Sequence, residues 1–103
     1  MDQRMNIYIT PELQEYMRRK GKRHISVEVA SADHSDFDVT ELYFRIIDDR
    51  TVGFLKKKRY RAVETGEGYV MLPPYHLQYD ENVTFRLKKV LVFHTVTADG
   101  IRL

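Results

Sequence analysis

Cysteine is missing from all 103 residues. Its absence excludes disulfides, zinc–thiolate sites and iron–sulfur clusters held by the chain's own sulfurs, and it fits a reducing compartment. No apolar run approaches the roughly 18 residues of a membrane-spanning helix. The opening MDQRMNIYIT has an early acid and no apolar stretch of the kind a secretory signal carries. The expectation is a cytoplasmic protein with no membrane partner. Charge of one sign is also scarce: 17 Lys and Arg against 15 Asp and Glu leave a formal +2, too mild to name an acidic partner.

Motifs for catalysis are absent too. Ser26, Ser31 and Ser35 lie in no G-x-S-x-G elbow. His24, His34, His76 and His94 show no HxH, HxxxH or HExxH spacing. Gly66 and Gly68 precede a strand pattern rather than a helix, so they form no phosphate cradle. Asp48 and Asp49 read as turn residues, and nothing in the sequence places a second group opposite them. The chain is expected to be neither an enzyme nor a cofactor carrier.

What is present is a globular composition, 43% apolar and 31% charged, in a length that suits one domain over residues 1–103. Ile7 and Ile9 alternate with polar neighbours as in a short strand. Thr10 is placed to cap a helix, Pro11 suits its first position, and Leu13, Tyr16 and Met17 make an apolar stripe. Arg18, Arg19 and Lys20 fill the last turn before Gly21. Ile25, Val27 and Val29 then alternate with Ser26 and Glu28, predicting a strand with one wet face. Leu42, Phe44 and Ile46 repeat that period. TVGFL predicts a short strand or bend near Gly53. A hairpin is expected with arms 60–63 and 69–72, Pro73 and Pro74 close it, and YHLQY predicts one helical turn. Val83, Phe85 and Leu87 alternate again. VLVFHTV is apolar on both faces up to Phe93, as in a central strand, with His94 at the core or its rim. Asp99-Gly100 predicts a turn before a final stub. The fold class expected is α+β: a mostly antiparallel sheet with one N-terminal helix.

This order of elements resembles the HesB-like fold of A-type iron–sulfur carriers. The resemblance rests on IYITPELQEYM, a strand and threonine-capped helix, and on GEGYVMLPPYHLQYDENVTFRL, a hairpin strand, proline-bearing turn and amphipathic strand. LKKVLVFHTVTADGIRL resembles a divergent branch of small HesB-like proteins with a Cys-Cys or Cys-selenocysteine motif. In that branch the paired thiols occupy a loop after the second strand, where this chain reads SADHSDFD. The carriers bind clusters through cysteines, so none of their functional residues carries over. The resemblance implies a HesB-like domain whose cluster chemistry has been lost or replaced.

Two segments attract functional readings. Asp33, His34, Asp36 and Asp38 offer carboxylates and an imidazole to a divalent cation, without the D-x-D-x-D-G grammar of a calcium loop. The ordinary reading is a solvated loop, with Phe37 anchoring it to the core. RRKGKR and KKKRYR (Arg18, Arg19, Lys22 and Arg23; Lys56, Lys57, Lys58, Arg59, Tyr60 and Arg61) form the second candidate. Cations would neutralise phosphates, and Tyr60 or Tyr43 would stack on a base. The ordinary reading is helix-terminal charge and edge-strand protection. Tyr75, His76 and Tyr79 either line a pocket or cover the end of a sheet. The leading expectation is a non-enzymatic domain acting through protein–protein contacts. An exposed strand edge or the Tyr-rich face would dock a partner protein or a second copy. Nucleic-acid binding and metal binding stand as alternatives.

Overall fold

The computed structural model describes residues 5–34 and 37–103, the side chains of 31–40 excepted. β1 (Asn6–Ile9) runs straight into α1 (Pro11–Arg19). The expected threonine hydroxyl cap does not form, and Thr10 Oγ1 is buried with no partner. Thr10 serves through its backbone: its N–H donates to Phe85 O (3.1 Å), and its carbonyl accepts from Gln14 N–H (2.9 Å). The far end of α1 closes as expected. Gly21 stands at φ +68, and Gly21 N–H and Lys22 N–H donate to Arg18 O and Met17 O (both 3.0 Å), the paired bonds of a Schellman stop.

β2 (His24–His34) and β3 (Phe37–Ile47) form one long antiparallel hairpin, in register from His24↔Ile47 to His34↔Phe37. The stretch expected to be an acidic loop is therefore mostly the paired far end of two strands. α2 (Asp49–Lys57) follows, where a strand or bend was expected. Asp48 caps it, accepting from Thr51 N–H (2.9 Å) and Thr51 Oγ1 (2.7 Å). β4 (Arg61–Glu64) and β5 (Tyr69–Leu72) make the predicted hairpin. Residues 73–77 form a bend that buries Leu77, not a helical turn.

β6 (Gln78–Val90) and β7 (Phe93–Arg102) pair antiparallel. Their junction overturns two expectations. VLVF is the hairpin turn itself, with Leu91 at φ +55, and its four side chains are exposed. Asp99-Gly100 is no turn but lies inside β7, opposite an irregularity in β6 between Tyr79 and Thr84. Gly100 is needed there: it has φ +98, and a Cβ would lie 2.5 Å from Asn82 O. His94 is exposed rather than buried, its ring 5.3 Å from that of Tyr16.

Two mixed sheets result, ordered β1-β6-β7 and β3-β2-β5-β4, with β1–β6 and β2–β5 parallel. The α+β class stands and the pairing is mostly antiparallel, as expected, with two parallel pairs among the five; two sheets and a second helix replace the single sheet and single helix. Leu13 and Met17 of α1 meet Ile25, Val27, Val70 and Phe85 in the main core. On the opposite face of the four-stranded sheet, α2 lays Val52 and Leu55 on Ile47 and Met71. That second layer explains why Ser26, expected on a wet face, is fully buried. Among the described residues, no helix is long and apolar enough to cross a membrane.

Candidate functional site

An open strand edge beside a cleft is the best-formed site. In β1 the Thr10 N–H bond to Phe85 O shows that even-numbered residues aim their backbone groups at β6. Strand groups alternate in direction with period two. Those of Ile7 and Ile9 therefore face away from the sheet, where no strand among the described residues pairs with them. Gln14 Nε2 takes the Ile9 carbonyl (2.7 Å). Among the described residues, Ile7 N–H, Ile7 C=O and Ile9 N–H have no strand partner.

That edge borders a cleft of about 610 Å³ between β1, the end of α1, the start of α2 and the β4–β5 turn. This is within the usual range for ligand sites. Its apolar lining is Ile7, Ile9 and Met17; its charged lining is Arg18, Lys22 and Arg23 against Asp48, Asp49 and Glu67. Both signs line the cleft, with Arg23 paired to Asp49 (3.4 Å), which suits a chain of mixed charge better than a polyanion.

One wall of the cleft is held by a histidine that sequence reasoning left unplaced. His24 is buried at the start of β2, and its Nδ1 accepts from Tyr69 N–H (2.9 Å). Nε2 therefore carries the ring proton and donates to Asp49 Oδ1 (2.5 Å). The pair has the composition of a catalytic dyad, but both ring nitrogens are engaged, so the imidazole has no nitrogen free for a substrate. It fastens α2 to the four-stranded sheet. No local signal could have revealed it, because the partners are 25 residues apart.

The hydrogen bond from His24, aided by Arg23, holds the Asp49 carboxyl below the usual aspartate range; Thr51 does the same for Asp48. A lowered folded-state value means the stabilisation is present above the ordinary aspartate pKa of about 3.9. It is lost as pH falls through the lowered value. In thermal melts taken from neutral pH down to strongly acidic, wild type is expected to lose Tm below about pH 4. Asp49→Asn should start lower and lose less over the same interval. Parallel curves would refute the linkage.

The structure separates the residues proposed for nucleic acid. Arg23 sits against Asp49 at the start of α2, whereas Lys56, Lys57 and Lys58 lie at its far end, about 13 Å away for nine residues. Arg18 pairs with Glu15 (2.6 Å). Lys56 and Lys58 lie over the rings of Tyr69 and Phe54. Arg59 occupies a left-handed position at the helix end, Tyr60 is half-buried with its hydroxyl pKa raised by that burial, and Arg61 opens β4. Arg19 and Lys22 are exposed.

Of the proposed metal ligands, Asp36 lies outside the described residues, as do the side chains of Asp33, His34 and Asp38; the backbone register sets Asp33 opposite Asp38. Phe37's side chain is likewise outside. Among the described residues, no group of three or more potential ligands converges.

Glu28 pairs with Arg45 and accepts from Ser26 Oγ (2.8 Å) and Tyr43 Oη (3.5 Å). Tyr43 and Tyr75 are exposed. Tyr79 packs against the main core, and burial raises its pKa. No protein-family model, curated protein or solved structure matches the chain.

Proposed function

We propose that this chain is a non-enzymatic, cysteine-less HesB-like binding module of the cytoplasm whose β1 edge takes up an extended segment of a partner protein. The carrying observation is the outward Ile7 N–H, Ile7 C=O and Ile9 N–H, which no strand pairs among the described residues, beside a cleft lined by apolar side chains and by charges of both signs. Strand addition uses such an edge for affinity, and flanking pockets supply selectivity. The absence of a free nitrogen on His24 supports the non-enzymatic half of the reading. The strand–helix opening and the proline-bearing link from β5 to β6 support the HesB-like half.

Random peptides displayed on phage and selected on the folded chain supply the probe. A selected peptide titrated into wild type is expected to shift the amide resonances of Ile7 and Ile9. Ile7→Pro removes an outward N–H at a place where an edge strand tolerates proline, and should weaken binding at least about tenfold. Ile7→Val keeps both backbone groups and should bind as wild type. Peptides whose footprint avoids β1, or that bind Ile7→Pro unchanged, would refute the reading.

A further inference from the structure

The tip of the β6–β7 hairpin holds four consecutive apolar residues that the fold leaves open: Val90 is 45% exposed, Leu91 86%, Val92 81% and Phe93 70%. Large apolar side chains on protein surfaces ordinarily stand singly. No other four consecutive apolar residues are exposed among the described residues. The turn is also built against local preference. Leu91 occupies φ +55, a conformation that tight hairpins usually give to Asn, Asp or Gly.

Charge surrounds this tip in a specific way. The register Lys88↔Thr95, Lys89↔His94 and Val90↔Phe93 places Lys88 and Lys89 on opposite faces of the hairpin, so cations flank the tip on both sides. Residues 83–98 contain Arg86, Lys88, Lys89 and His94 and no Asp or Glu. Arg86 pairs with Asp99 (2.8 Å). Among the described residues, Lys88 and Lys89 make no ion pair.

We infer that this hairpin is a wedge that enters the surface of an anionic lipid bilayer. The two lysines lie two and three residues behind Leu91, about 7–10 Å at strand spacing. That matches the roughly 5–10 Å to which interfacial segments bury their apolar face beneath the headgroups. Leu91 and Val92 then reach acyl chains while Lys88 and Lys89 meet phosphates. A symmetric tip-to-tip pairing of two copies would bring these same cations together. A one-sided protein groove would leave one flank of the tip uncovered. The absence of a spanning helix is no obstacle, since the contact is superficial and made by strands. The inference is independent of the β1 edge.

The test is sedimentation of the full chain with vesicles of phosphatidylcholine alone and of phosphatidylcholine with phosphatidylserine, at low and high salt. Partition onto the anionic vesicles only, weakened by salt, is expected. The chain has no tryptophan, so Val92→Trp should report insertion by a blue shift of its emission. Leu91→Asn suits the left-handed position, keeps the fold, and should reduce partition at least tenfold; Val92→Asn should do the same. Replacing Lys88 and Lys89 by Gln should reduce it roughly 30-fold, from the usual contribution of a basic residue near an anionic surface. The inference is overturned by absence of partition, by equal binding to both vesicle types, or by wild-type binding of both Asn variants. A lipid-free dimer that Leu91→Asn dissolves would overturn it in favour of self-association.

Discussion

Alanine at Gly68 is expected to destabilise the protein by about 2–5 kcal/mol, the sum of overpacking and a lost buried hydrogen bond. Gly68 immediately precedes β5, at a point where the chain crosses the backbone of Arg23 and His24. A Cβ there would lie 2.1 Å from Arg23 O and 2.9 Å from His24 Nδ1. The first distance is incompatible with any real contact, and the second atom is the acceptor for Tyr69 N–H. Relief requires β5 to lift from β2, which strands that N–H and loosens the ring that holds Asp49. For a domain this size the loss is a drop of at least about 10 °C in Tm, measured by circular dichroism. Gly66→Ala is the control: it sits two residues away with nothing within 4 Å and should stay within about 0.5 kcal/mol of wild type. Equal melts for the two variants would refute the close approach.

Phe85→Ala should cost about 3–5 kcal/mol, the usual range for deleting a buried aromatic. Total stability for a domain of this length is on the order of 5–15 kcal/mol. Phe85 is fully buried in β6, and its ring meets that of Phe44 on the facing sheet edge-on at 5.8 Å. Its carbonyl receives the Thr10 N–H that joins β1 to the sheet. The substitution therefore opens a cavity where the two sheets meet. Urea unfolding should show a lower midpoint with an unchanged slope, and Phe85→Leu, which refills part of the space, should lose less. A cost below about 1 kcal/mol would mean the main core closes without this side chain.

Elements that carry their own punctuation were legible from the chain. α1 has proline at its start, glycine at its end and an apolar stripe between. The β4–β5 hairpin has its glycines, and β2 and β3 have their alternation. α2 was not legible, because Thr51, Val52, Gly53 and Phe54 are poor helix formers. The helix stands because Val52 and Leu55 bury against Ile47 and Met71 and Asp48 caps it. The VLVF segment misled for a different reason. Continuous apolar character marks a buried strand only when neighbours cover both faces, and here the chain reverses at Leu91 with no glycine or asparagine to announce it. The candidate site was partly foreseen, in that a strand edge was expected to be available. Which edge it was, and the bond from His24 to Asp49 beside it, depended on pairings between residues far apart in sequence.

By itself the sequence determined the class, the period of most strands, the first helix and the exclusion of thiol chemistry, because those follow from residue identity and spacing along a few turns or rungs. Only the tertiary structure decided that an apolar run would be left in water, that a serine and a histidine would be buried beneath a second helix, and that β1 would keep one side open. Each of these depends on which surfaces meet, and burial is a property of pairs of segments rather than of either one alone.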